Sequence, residues 1–145
     1  MPYATQQNLN DRFGAAEIIQ LTDRPDRADP QNAGSIDASV LNQAIADADA
    51  EINSYLTAYP LPLAVVPANL VRIACDVTRY YLYEDQMIDQ VQKRYDNALV
   101  WLKLVAAGKV SLPPDALGNV PTTATDDVDY LANESVFTGS SFSGF

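Results

Sequence analysis

The chain contains no histidine, and only one of its 145 residues is a cysteine. Without a second cysteine no disulfide can form within the chain, and a zinc site built from cysteine and histidine is excluded. A histidine general base is excluded as well. Cys75 follows Ala74 inside a helical pattern, where a lone cysteine is typical of a small core residue rather than a reactive thiol.

Long apolar runs and chemical motifs are also missing. No run approaches the roughly 18 residues of a membrane span, and the first residues lack the basic and apolar pattern of a signal peptide. We therefore expect a protein made in a reducing cytoplasm, with no membrane contact. The sequence offers no paired nucleophile and base, no Gly-rich phosphate loop and no metal-ligand spacing, so we expect neither an enzyme nor a cofactor.

Positive charge is scarce and unevenly placed. The chain has 9 basic and 19 acidic side chains, for a formal charge of −10, which argues against binding to a phosphate backbone. Residues 1–110 hold all 9 basic groups and 14 acidic ones, whereas residues 111–145 hold 5 acidic groups and no basic one. Residues 111–145 are therefore called the acidic arm.

Apolar residues recur at spacings of three and four through most of residues 1–110. This period predicts an all-α fold, a small bundle of about four to five helices followed by an extended C-terminal tail. The predicted helices span residues 6–13, 15–22, 37–59, 68–83 and 84–107. Thr5 and Asp37 are predicted N-caps, Pro67 suits the first turn of the fourth helix, and Gly14 and Gly108 are predicted C-terminal stops.

Acidic side chains mark one face of the third predicted helix. Asp47, Asp49 and Glu51 are two residues apart, so they point in different directions around the helix and make a weak metal site. A solvated face remains one interpretation, and a face that lines a channel or a subunit interface remains another.

The fourth predicted helix is rich in tyrosine and in alternating charge. Tyrosine is enriched at protein interfaces, so Tyr80 and Tyr83 are candidates for a subunit contact. Arg72, Asp76 and Arg79 have the spacing of an ion-pair ladder on an exposed helix face.

Aromatic residues near the end of the arm suggest anchors. Phe137, Phe142 and Phe145 are separated by glycine, serine and threonine, and such side chains can enter pockets on another surface. The alternative is a floppy tail whose aromatics are incidental. Trp101 lies off the apolar stripe of the last helix and is either a domain edge covered by the arm or a contact with another chain.

The composition divides the chain into a helical domain, residues 1–110, and the acidic arm, residues 111–145, which we expect to be ordered only on assembly. Deletion of residues 112–145 should then leave the melting temperature of the helical part nearly unchanged and abolish assembly with a partner. The connection at residues 23–34, with its prolines and alternating charges, is predicted to be an exposed loop that either is solvated or reaches toward a neighbouring subunit.

Several short segments, taken in order, resemble a known family. They are MPYAT at 1–5, LNDRFG at 9–14, IIQLTD at 18–23, AIADADAEI at 44–52, YL at 55–56, YPLP at 59–62 and the stretch 67–83. Together they resemble the small virion protein of Mu-like phages and prophages, which belongs with the head-tail connector (adaptor) proteins of long-tailed phages.

The resemblance implies a helical protomer in a closed ring beneath the portal, with about twelve copies related by cyclic symmetry. It further implies a place in the neck of the virion, after synthesis in the bacterial host, with the portal protein and a tail-completion or tail terminator protein as partners. DNA would pass through without specific binding, and an acidic lumen formed by Asp47, Asp49 and Glu51 would keep it mobile. The alternative is a small acidic binding module or virion assembly factor that forms no ring.

Overall fold

The computed structural model describes residues 1–24, 30, 33–84 and 87–112. Within this part the chain is all-α, with no strand, and the prediction of a small bundle is confirmed. The helices are α1 (Gln6–Phe13), α2 (Ala15–Thr22), α3 (Ala38–Tyr55), α4 (Ala68–Leu82) and α5 (Asp89–Ala106).

Helices α1 and α2 are short, and the residues at their ends fix where each helix begins and stops. The Thr5 hydroxyl accepts a hydrogen bond from the Asn8 N–H at 3.3 Å, and the Asn8 amide oxygen accepts from the Thr5 N–H at 2.9 Å, which closes a capping box. Gly14 has φ of 88°, where other residues are strained, and it separates the two helices. Thr22 ends α2, and its hydroxyl accepts from the Asp37 N–H at 3.1 Å, which fixes the start of α3 against the end of α2.

Helix α3 begins as predicted and ends earlier than predicted. The Asp37 carboxylate accepts from the N–H groups of Ser39 and Val40, at 2.8 and 3.2 Å. The predicted end at Tyr59 was wrong, because α3 stops at Tyr55 and the chain continues in turns in which the N–H groups of Leu56 and Tyr59 each bond to a carbonyl three residues back. Proline at position 60 disfavours helical backbone at Tyr59, and the turns still keep the Tyr59 ring buried.

The connection before α5 is longer than the sequence suggested. Helix α4 is preceded by Pro67, as predicted, and α5 begins at Asp89 rather than at Glu84. Glu84 lies between the helices and pairs with Arg24 across the surface. Met87 lies before α5 and is 38% exposed.

The core lies where α4 packs between α3 and α5, with α1 and α2 covering one side of α4. Cys75 is fully buried there, in agreement with the prediction of a small core residue. Gly108, with φ of 72°, ends α5 in the predicted position. The chain then returns to the core, because Leu112 is 1% exposed and its N–H donates to the Tyr59 hydroxyl at 3.2 Å.

Candidate interaction surfaces

Glu51 joins three helices through tyrosine hydroxyls. Its two carboxylate oxygens accept hydrogen bonds from Tyr81 and Tyr95, each at 2.8 Å. The ring of Tyr80 stacks on that of Tyr95, with centroids 3.7 Å apart and planes 7° from parallel. Burial, reinforced by the hydrogen bond to Glu51, raises the pKa of Tyr81 to about 12, and the same causes raise the pKa of Tyr95. The Glu51 cluster, defined by these four residues, therefore holds α3, α4 and α5 together.

Asp49 and Asp47 lie on the same helix in different surroundings. The Asp49 carboxylate accepts from the Tyr3 N–H at 3.1 Å, and the Tyr3 hydroxyl donates to the Asn53 amide oxygen. Burial raises the pKa of the Asp49 carboxyl, while the Tyr3 N–H lowers it. Asp47 is exposed and accepts from the Gln43 side chain at 3.0 Å. Of the three acids proposed for a lumen or interface, only Asp47 is exposed. The carboxylates of Asp49 and Glu51 both accept hydrogen bonds from tyrosines of the same chain.

A buried arginine connects α1, α2 and α4. The Arg79 Nε lies 2.6 Å from a Glu17 carboxylate oxygen, and the side chains are 10% and 24% exposed. The guanidinium lies over the Phe13 ring, 4.4 Å from its centroid, and Tyr83 donates its hydroxyl to the same Glu17 oxygen at 3.1 Å. Tyr83 is therefore half-buried and bonded within its own chain. The predicted ladder was wrong for Arg79, which turns away from Asp76.

Asp76 is shared by two arginines that remain half-exposed. Its carboxylate lies 3.8 Å from an Arg72 nitrogen and 3.7 Å from an Arg94 nitrogen, and its side chain is only 7% exposed. The arginine side chains are 50% and 46% exposed. Burial raises the pKa of the Asp76 carboxyl, and the arginines lower it. Two cations facing one carboxylate leave an excess of positive charge at this corner of an acidic protein.

The outer face of α5 is apolar toward its C-terminal end. Val100 is 57% exposed and Leu104, one helical turn later, is 36% exposed. Trp101 is half-buried between them and the core. Arg94 lies two turns before Trp101 on the same side of the helix, about 10 Å away along the axis. Arg94 and Trp101 thus share one side of α5, and the exposed Leu104 and Val100 lie next to that side round the helix.

Sequence reasoning found some of these residues and missed others. It singled out Glu51 and Tyr80, which the fold brings together, and Trp101, which borders the apolar stripe. It missed Arg94, Val100 and Leu104, although the one-turn spacing of Val100 and Leu104 off the buried stripe of α5 was a usable signal. The remaining predicted anchors, Phe137, Phe142 and Phe145, lie outside the described residues.

The comparisons with known proteins agree on one family. The family model for Gp36 of bacteriophage Mu matches residues 3–129. Gene product J of Escherichia phage Mu is 42% identical over 110 residues, which covers 75% of this chain and 74% of that protein. The chain belongs to the phage Mu Gp36 family. Another relative, the Mu-like prophage FluMu protein gp36 of Haemophilus influenzae, is 34% identical over 111 residues, covering 76% of this chain and 74% of that protein.

The Gp36 match extends beyond the helical bundle. It includes the first part of the acidic arm, to residue 129, whereas residues 130–145, with their three phenylalanines, follow it. The family relation therefore applies to the whole described bundle, and the end of the arm must be argued from its own chemistry.

The described part of this Gp36-family chain has no grouping of three or more Cys, Asp or Glu side chains suited to hold a metal ion. The thiol of Cys75 is fully buried, and burial raises its pKa to about 11, so it is held as the neutral thiol at neutral pH. None of the helices in residues 1–24, 33–84 and 87–112 is long and apolar enough to cross a membrane. What the geometry offers is contact surface.

Proposed function

We propose that this chain is a head-tail connector (adaptor) protein of a Mu-like phage, which forms a ring beneath the portal and joins the capsid to the tail. The observation that carries the proposal is the outer face of α5, where Val100 and Leu104 lie one helical turn apart and are 57% and 36% exposed beside the half-buried Trp101 ring. Exposed apolar stripes with a charged border are typical of protein contact sites. In a phage family, such a contact supports a role in particle assembly.

The proposed role is structural and involves no reaction. The charged groups of the bundle interior are engaged with each other, as in the pair of Arg79 with Glu17 and the Glu51 cluster. Their arrangement stiffens the bundle, and a stiff subunit suits a ring that must carry load between head and tail.

The proposed lumen is acidic, with Asp47 as its leading candidate. Asp47 is exposed, whereas Asp49 and Glu51 accept hydrogen bonds from tyrosines of their own chain. A negative inner surface would repel the duplex and let it pass without a specific complex. The neighbours along the particle axis would be the portal protein on one side and a tail-completion or tail terminator protein on the other, which places the chain in the neck of the virion.

Oligomeric state tests this proposal directly. The purified full chain should be measured by size exclusion with multi-angle light scattering and by native mass spectrometry, alone and with the portal protein of the same phage. We expect rings of about twelve copies, alone or on the portal. A chain that stays monomeric at all concentrations and does not bind the portal would contradict the proposal and favour a small acidic binding module or assembly factor.

A further inference from the structure

The surface along α5 has two parts with different chemistry. At one end, Arg72 and Arg94 are each about half-exposed around the single carboxylate of Asp76. At the other end, Val100, Trp101 and Leu104 form the apolar stripe described above. We call this surface, formed by Arg72 of α4 with Arg94, Val100, Trp101 and Leu104 of α5, the α5 contact face. A ligand for it must be acidic at one end and apolar or aromatic at the other.

The end of the acidic arm carries acidic residues followed by aromatic ones, which matches the order of the basic and apolar parts of the α5 contact face. Its last acidic groups are Asp126, Asp127, Asp129 and Glu134, and they are followed by Phe137, Phe142 and Phe145. The arm carries no basic residue, so nothing in it opposes contact with Arg72 and Arg94. The 33 residues that follow Leu112 can reach about 100 Å when extended, which is farther than the width of a small domain.

We infer that the α5 contact face binds the C-terminal segment, residues 126–145, of a second copy of this chain. The acidic residues would meet Arg72 and Arg94, and the phenylalanines would cover Val100, Trp101 and Leu104. A closed ring needs one heterologous contact that repeats from subunit to subunit, and each chain carries both halves of this one. The inference rests on the proposed ring and names the contact that closes it.

Site-specific photo-crosslinking in the full chain tests the contact. Phe142→p-benzoylphenylalanine, made with natural isotopes, is mixed with the unmodified full chain labelled with ¹⁵N, and the assembled mixture is irradiated and digested with trypsin. Because no Lys or Arg follows Lys109, the arm is released as one peptide, residues 110–145. Cleavage after Arg94, Lys103 and Lys109 releases the α5 face as peptides 95–103 and 104–109.

The expected product joins an unlabelled arm peptide to a labelled α5 peptide. A crosslink found only within unlabelled chains of monomer size would mean that the arm folds back on its own subunit, and it would overturn the inference. Crosslinks that lie on other surfaces, or that form only to an added portal protein, would overturn it as well.

Matched variants measure the contribution of each half. Val100→Ser with Leu104→Ser should raise the protein concentration needed for half-maximal ring assembly by about tenfold or more, because both apolar contacts are lost. Ala106→Ser, on an exposed position of α5 that is turned away from both Arg94 and the stripe, is the control and should assemble like the unaltered chain. Circular dichroism of each variant checks that the bundle is still folded.

The charged half is tested from the arm, which leaves Asp76 and its arginines untouched. Replacing Asp126, Asp127 and Asp129 by Asn and Glu134 by Gln should raise the same assembly concentration and remove most of its dependence on salt. Unchanged assembly and salt dependence would contradict the inference. If the full chain forms rings and both sets of variants form them equally well, this contact is wrong and the connector proposal stands, whereas absence of any ring, alone or on portal, refutes both.

Discussion

The bundle holds paired polar groups between its helices, beside an apolar core, and carries exposed apolar groups on the outer face of α5. Inside, Arg79 and Glu51 are each satisfied by at least two neighbours within the chain. Outside, Val100 and Leu104 are exposed to solvent. The comparison teaches that stability and the proposed recognition are separated here: the first depends on the apolar core and on the paired polar groups between helices, and the second on side chains at the outer face of α5.

The largest expected effect comes from breaking the buried pair at Arg79. Arg79→Ala leaves the Glu17 carboxylate without its cation and removes the guanidinium from the Phe13 ring, and we expect a loss of about 3 kcal/mol in the free energy of unfolding. Urea denaturation followed by circular dichroism measures the loss. The matched control is Arg24→Ala, whose partner Glu84 is 60% exposed, and which should cost less than about 1 kcal/mol. Equal losses in the two variants would contradict the assignment of stability to the interior pair.

Leu112 is expected to have the next largest effect. Leu112→Ala should lower the free energy of unfolding by about 2 to 3 kcal/mol, because a fully buried leucine leaves a cavity when it is shortened. A chain that ends after Leu112 should keep the stability of the full chain to within about 0.5 kcal/mol. This corrects the expectation from sequence, in which a deletion that began at Leu112 itself was to leave the melting temperature nearly unchanged, because the Leu112 side chain belongs to the core. A large further loss on removing residues 113–145 would show that the arm stabilises its own subunit.

Glu51→Gln tests the Glu51 cluster. The glutamine amide has one acceptor oxygen where the carboxylate has two, so it can accept a hydrogen bond from only one of the two tyrosine hydroxyls. We therefore expect a loss of about 1 to 2 kcal/mol in the free energy of unfolding. Asp47→Asn, on the exposed side of the same helix, is the control and should change stability by less than about 0.5 kcal/mol. If Asp47→Asn costs as much as Glu51→Gln, the cluster is not the element that joins α3 to α4 and α5.

The same cluster predicts an effect of alkaline pH. Tyrosines of an unfolded chain lose their protons near about pH 10, whereas the pKa of Tyr81 in the fold is about 12. A folded-state pKa that is raised means that the contribution of Tyr81 to stability is complete below about pH 10 and is lost as the pH rises toward 12. Ultraviolet titration should show late phenolate formation whose amplitude falls by one tyrosine in Tyr81→Phe, because the pKa of Tyr95 is raised as well. A titration of Tyr81→Phe that overlays that of the unaltered chain, apart from amplitude near pH 10, would refute the raised pKa.

The smallest effect on stability is expected for the outer face itself. Val100→Ser with Leu104→Ser should lower the free energy of unfolding of the monomer by about 1 kcal/mol, mostly through Leu104, which is 36% exposed and therefore partly packed. Urea denaturation at low protein concentration measures this value without assembly. A loss of several kcal/mol would mean that the stripe belongs to the fold and would end the separation drawn above.

The helices could be predicted from the sequence because their signals are local. Thr5, Asp37 and Gly108 act within a few residues of their own position, so cap residues and apolar period were enough to find each element. The errors came where the signal is not local. The end of α3 and the start of α5 depend on the length of connecting chain that is needed before the next helix can pack against the core.

The contacts between helices were out of reach for a related reason. Helical spacing placed Arg79 near Asp76, but the orientation of α1 and α2 against α4 gave it to Glu17 instead. The acids Asp49 and Glu51 were grouped with Asp47 by spacing alone, and tertiary packing then supplied two of them with tyrosine donors. The lumen, the ring and the partner contacts of Trp101 and the arm remain predictions that the experiments above test.

The bond from the Leu112 N–H to the Tyr59 hydroxyl, at 3.2 Å, has a consequence for geometry. It fastens the root of the arm beside the connection between α3 and α4, so that the arm departs from the same point in every subunit. In a ring, these points form a circle of evenly spaced attachment sites. Tyr59→Phe would remove this bond while the Leu112 side chain stays in the core, and in a ring the arms would then leave their subunits in a wider range of directions.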